Sequence, residues 1–110
     1  MDIEKRVRIC LLYDFYGALL TDKQQYVMKR YFEDDASLVE IADELGISRQ
    51  AVRDSIVTSE SMLDNFESKL ELVKRHQKLK SGLMEVVSCI DQNDDVNNIK
   101  KLLNDLFQYL

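Results

Sequence analysis

The stretch Ser37-Leu38-Val39-Glu40-Ile41-Ala42-Asp43-Glu44-Leu45-Gly46-Ile47-Ser48-Arg49-Gln50-Ala51-Val52-Arg53-Asp54-Ser55-Ile56 decides the fold. Ser37 and Glu40 form a capping box, in which the hydroxyl accepts a first-turn backbone N–H and the carboxylate reaches back to the cap. Leu38, Ile41, Ala42 and Leu45 recur at helical spacing and predict one buried face. Gly46 stands where a chain leaving a helix needs a positive φ, which glycine adopts at least cost. Ile47 fills the corner, and Ser48 caps a second helix that turns Val52 and Ile56 inward. Two apolar-faced helices about a short glycine turn make a helix-turn-helix. Ser48, Arg49, Gln50 and Arg53 then fall where a recognition helix meets phosphates and base edges, the arginines suited to guanine and the glutamine to adenine.

Upstream, Thr21 and Gln24 make a second capping box opening a helix from Asp22 to about Phe32. A first helix is expected from Ile3 to Leu20, apolar on most of its circumference and so central to a core or shared with another chain. Its aromatics Tyr13, Phe15 and Tyr16 are read as core, since the residue between them is Asp14 and not a cation. Glu33, Asp34 and Asp35 form a polar connector whose charge favours the helix start that follows.

Downstream, nothing stops the second motif helix before Gly82, which predicts a helix from Arg49 to about Lys80, about 48 Å long. Val52, Ile56, Ser59, Leu63, Phe66, Leu70, Val73 and Gln77 step along it as a heptad seam. Leu63, Phe66, Leu70 and Val73 are expected to pack another helix or a second copy, and a homodimer is expected. After a break at Ser81-Gly82, Leu83 to Ile90 and Val96 to Leu110 predict a helical hairpin turning at residues 91–95. The expected organisation is therefore a helix-turn-helix domain over 1–80 and a helical extension over 81–110. The extension carries 2 basic against 5 acidic residues, so it reads as an acidic surface for a protein contact.

The absence of proline, the three glycines and a hydrophobic content of 45% agree with an all-α globule and exclude a disordered chain. No apolar run reaches the roughly 20 residues that span a bilayer, and no signal-peptide pattern opens the chain, so a cytoplasmic protein is expected. The net charge of −5 requires any nucleic-acid contact to be local, because phosphate neutralisation supplies most of such affinity.

The chemistry of an enzyme is missing. Cys10 and Cys89 are far apart in apolar surroundings and read as free thiols. His76 lies among Lys74, Arg75 and Lys78 and reads as a surface residue; those cations and Lys80 are expected to complement the end of the long helix or to touch RNA phosphates. Asp91, Asn93 and Asp95 open like a calcium loop, but Val96 replaces its glycine and Leu102 its bidentate glutamate. No metal site, cofactor or catalytic residue is expected.

Two segments resemble the YlxM-like family of small bacterial helix-turn-helix proteins. One is Leu12-Tyr13-Asp14-Phe15-Tyr16-Gly17 with Leu19-Leu20-Thr21 and Lys23-Gln24; the other joins Ser37-Leu38, Glu40-Ile41-Ala42 and Ser48-Arg49-Gln50-Ala51-Val52. The likeness runs from about Arg6 to about Leu79. The motif is also similar to the promoter-reading domain of sigma factors (region 4), in which Ser48, Arg49, Gln50 and Arg53 fall on the positions facing DNA. Sigma factors continue with basic residues where this chain has Ser59, Glu60, Asp64 and Glu67. The family resemblance implies a regulatory role in the signal recognition particle pathway. The expected ligand is duplex DNA or, alternatively, the particle's own protein or RNA.

Overall fold

In the computed structural model, which describes residues 2–110, every regular element is helical. The helices are α1 (Ile3–Tyr16), α2 (Asp22–Phe32), α3 (Leu38–Leu45), α4 (Arg49–Leu70), α5 (Leu72–Asp91) and α6 (Val96–Leu106). They group into two compact units, one ending at Leu70 and one running from Glu71 to Leu110.

In the first unit α1, α2 and α3 all pack on α4. The core is built from the stripes that helical spacing marks: Ile9, Leu12 and Tyr16 of α1, Val27, Met28 and Phe32 of α2, Ile41 and Ala42 of α3, and Val52, Ile56 and Leu63 of α4. Both capping boxes form, with Gln24 N–H on Thr21 Oγ1 at 3.2 Å and Glu40 N–H on Ser37 Oγ at 3.1 Å. α2 occupies the span expected of it. α1 is shorter than expected: it stops at Tyr16, and Gly17–Leu19 tighten into a 3-10 turn that delivers the extended Leu20 and Thr21 to the next cap. Ser59 is fully buried and its hydroxyl has no hydrogen-bond partner among the described residues, a polar break left inside the seam.

The continuous helix expected from Arg49 to about Lys80 is two helices. Glu71 takes a left-handed conformation (φ 54°, ψ 31°), ending α4 at Leu70 and starting α5 at Leu72. Such a residue costs about 1 kcal/mol outside glycine, so local preference alone would have continued the helix. The expected seam is thereby divided: Leu63, Phe66 and Leu70 lie on α4, and Val73 on α5. Within the first unit Leu63 is fully buried, and the Phe66 ring lies 6.0 Å from that of Tyr16. The division also redistributes charge. The second unit has six basic against six acidic residues, so the acidic hairpin expected from residues 81–110 is part of a neutral unit.

Gly82 does not break a helix. It lies inside α5, where a Cβ would meet Leu106 Cδ2 at 2.2 Å, so its lack of a side chain lets α6 approach closely. The face of α5 toward α6 is Leu79, Gly82, Val86 and Cys89, stepping by three and four, and Val86 is its buried centre. Replacing Gly82 with alanine should push Leu106 away and lower the stability of this unit by about 1–3 kcal/mol, read as a lower urea midpoint for the loss of helical signal. An unchanged midpoint would mean that the two helices part without cost. Among the described residues, no helix is long and apolar enough to cross a membrane.

Candidate nucleic-acid interface

Three local devices shape the motif. Gly46 sits at φ 66° with open space where a Cβ would lie, so its backbone conformation and not crowding requires glycine. Its N–H and that of Ile47 both return to the Ala42 carbonyl, closing the end of α3. Ser48 Oγ then accepts the Ala51 N–H at 3.0 Å, which caps α4 and leaves the serine hydroxyl hydrogen free to donate outward.

These devices bring Ser48, Arg49, Gln50 and Arg53 onto one open groove, whose other wall is Leu38 and Val39 of α3. All four predicted residues are exposed. Arg49 and Arg53 have no hydrogen-bond or ion-pair partner among the described residues. Gln50 differs, since its amide donates to Asp54 Oδ1 at 2.8 Å and would have to leave that partner to read an adenine through both its groups. Val39 was missed by sequence reasoning. It is 47% exposed and lies off the buried stripe of α3, and an apolar residue on a polar face was the available signal.

The other arginines of the first unit are engaged. Arg6 pairs with Asp35 and donates to the Phe32 carbonyl at 2.6 Å. Arg8 meets Asp64 at 2.6 Å, and Arg30 holds Glu44 through two nitrogens at 2.5 and 3.0 Å. The acidic residues beyond the motif on α4 face α1: Glu60 lies 3.6 Å from Lys5, Asp64 pairs with Arg8, and Glu67 accepts the Tyr16 hydroxyl at 2.5 Å. The acidic continuation that sets this chain apart from sigma factors is thus partnered by the first helix.

Arg30, Tyr26 and Glu44 tie α2 to α3 and so fix the angle of the motif. Hydrogen bonds from Arg30, then from the Tyr26 hydroxyl at 2.6 Å, hold the Glu44 carboxyl down to about 2. The same carboxylate, as hydrogen-bond acceptor, pushes the Tyr26 hydroxyl up. A carboxylate lowered on folding stabilises the fold above its unfolded value, near 4.3, and loses that contribution as pH falls through about 2. The thermal midpoint should therefore drop on acidification from about pH 4.5 to pH 2. Glu44→Gln should flatten that limb, and an acid limb identical in both proteins would remove Glu44 from the account.

The remaining polar groups do other work. The basic run from Lys74 to Lys80 lies in the N-terminal half of α5, not at a helix C-terminus, so it does not complement a dipole as expected. His76 is exposed on the same helix, and Cys10 and Cys89 are free thiols. At the turn before α6, Asp95 caps Asn97 N–H at 3.2 Å and Asp94 accepts the Asn98 amide at 2.8 Å. Among the described residues no His, Cys, Asp and Glu side chains gather as a metal site.

A family model described as "Putative helix-turn-helix protein, YlxM / p13 like" (UPF0122) matches residues 3–106. The chain is 41% identical over 109 residues to the UPF0122 protein YlxM of Bacillus subtilis (strain 168), covering 96% of this chain and 99% of that one. It is 39% identical to a UPF0122 protein of Halalkalibacterium halodurans over 94% of this chain and 95% of that one. A UPF0122 protein of Thermoanaerobacter sp. (strain X514) is 52% identical over 81 residues, 74% of this chain and 69% of that one.

Proposed function

Because the chain belongs to the YlxM/p13-like helix-turn-helix family, we propose that it is a regulatory protein whose second motif helix binds duplex DNA. The observation that carries this reading is the distribution of charge in the first unit. Arg6, Arg8 and Arg30 are ion-paired, whereas Arg49 and Arg53 stand unpaired on one open groove beside the cap of α4. Unpaired guanidinium groups at an exposed helix start can take phosphates or guanine edges with no internal partner to give up. Pairing Glu60, Asp64 and Glu67 with α1 reduces the repulsion that a net charge of −5 would otherwise set against a duplex.

The resemblance further implies that the regulated process is the signal recognition particle pathway. The test is selection of bound duplexes from a random-sequence pool by the full chain, followed by binding of the selected duplex at rising salt. A reproducible sequence whose affinity falls steeply with salt supports the reading. No enrichment, together with retention of the particle's RNA or protein component from a mixture containing all three, would replace it with the adaptor reading.

A further inference from the structure

α5 has two apolar faces, and only one is used. Leu79, Gly82, Val86 and Cys89 face α6, as described above. On the side next to it Leu83, Met84, Val87 and Ile90 are all exposed, Met84 by 63% and Val87 by 57%. Leu83, Met84 and Val87 line one open apolar surface together with Lys80. Scattered exposed apolar residues are ordinary, but four at helical spacing on one face make a stripe that a helix places against a partner.

The charges at the two ends of this stripe indicate which partner fits. Lys80, Met84, Val87 and Asp91 step by four, three and four, so all four lie on one line along α5. The line spans eleven residue steps, roughly 16 Å, with a cation at its start and an anion at its end. Neither Lys80 nor Asp91 has an ion-pair partner among the described residues, and both are exposed. A second α5 laid antiparallel about a two-fold axis between Met84 and Val87 sets Lys80 of each copy opposite Asp91 of the other. The same operation sets Met84 opposite Val87 twice. A parallel pair would instead oppose Lys80 to Lys80 and Asp91 to Asp91. The stripe is therefore complementary to itself in one orientation only, which is the condition for an isologous interface.

We infer that the outer stripe of α5, Lys80-Met84-Val87-Asp91 flanked by Leu83 and Ile90, is a homodimer interface in which two copies of the helix pack antiparallel. The homodimer expected from the sequence is thereby moved from the seam of Leu63, Phe66, Leu70 and Val73 to the outer stripe of α5.

Sedimentation equilibrium of the full chain over a range of concentrations tests it. The unaltered protein should be a reversible dimer. Met84→Asp should weaken association at least about 100-fold, because an unpaired carboxylate would be buried twice, while helical content stays unchanged. Lys80→Glu and Asp91→Lys should each weaken it roughly tenfold, and the double exchange Lys80→Glu with Asp91→Lys should restore it. The charge exchange keeps the test decisive even where Met84→Asp disturbs the helix. A protein that stays monomeric at every concentration would overturn the inference. So would a dimer indifferent to Met84→Asp, which would lie on another surface, or a dimer that the double exchange fails to restore.

Discussion

Replacing Leu63 with alanine is expected to lower the stability of the first unit by about 2–5 kcal/mol. Leu63 is fully buried on α4, the helix against which α1, α2 and α3 all pack, so the space it leaves cannot drain to solvent. A unit ending at Leu70 has a total stability of only about 3.5–10 kcal/mol at the usual value per residue. The substitution should therefore lower the thermal midpoint by of order 10–30 °C. Circular dichroism with urea and with heat measures it directly. The loss should be the same at low and high protein concentration, because Leu63 packs within its own unit. A loss below about 1 kcal/mol, or one that grows on dilution, would return Leu63 to the role of an intermolecular seam. Leu63→Ile, which keeps the volume, should cost less than about 1.5 kcal/mol.

The second large effect is on binding. On a selected duplex Arg53→Ala and Arg49→Ala should each cost about 1–3 kcal/mol, and together reduce affinity more than about 100-fold. Neither change should move stability by more than about 0.5 kcal/mol, since both side chains are exposed and hold no partner in the fold. Lysine replacements separate the two kinds of contact. A phosphate accepts an ammonium nearly as well, whereas a guanine edge read by a two-pronged guanidinium does not. Fluorescence anisotropy with the selected duplex and with single-base variants of it makes the distinction. Binding indifferent to both alanine variants would mean that the groove between α3 and α4 is not where the duplex lies.

These two residue sets also show how the sequence can be read and where it misleads. Arg49 and Arg53 were legible because the motif's spacing fixes which way α4 faces. The groove wall supplied by Val39 was not, since it depends on the angle at which α3 meets α4. Glu60, Asp64 and Glu67 counted against DNA binding when read along the chain. In the fold they are contacts of α1, with Lys5, Arg8 and Tyr16 coming from more than fifty residues away. A charge pattern on one helix says nothing about a second helix that lies on it.

What the sequence determined by itself is the local architecture of the first unit. Two capping boxes, a glycine at φ 66° and apolar residues at helical spacing each act within a turn or two, so their effect is written where they stand. The tertiary structure alone decided where α4 ends and what Gly82 does. Glu71 is a good helix former that carries no signal of a left-handed turn, and Gly82 looks like a helix breaker until Leu106 is set against it. The role of Gly82 depends on a residue far along the chain. A glycine kept inside a helix because a distant side chain packs on it is set by tertiary contact, and a break at a residue that prefers to continue the helix runs against propensity, so no local window contains either.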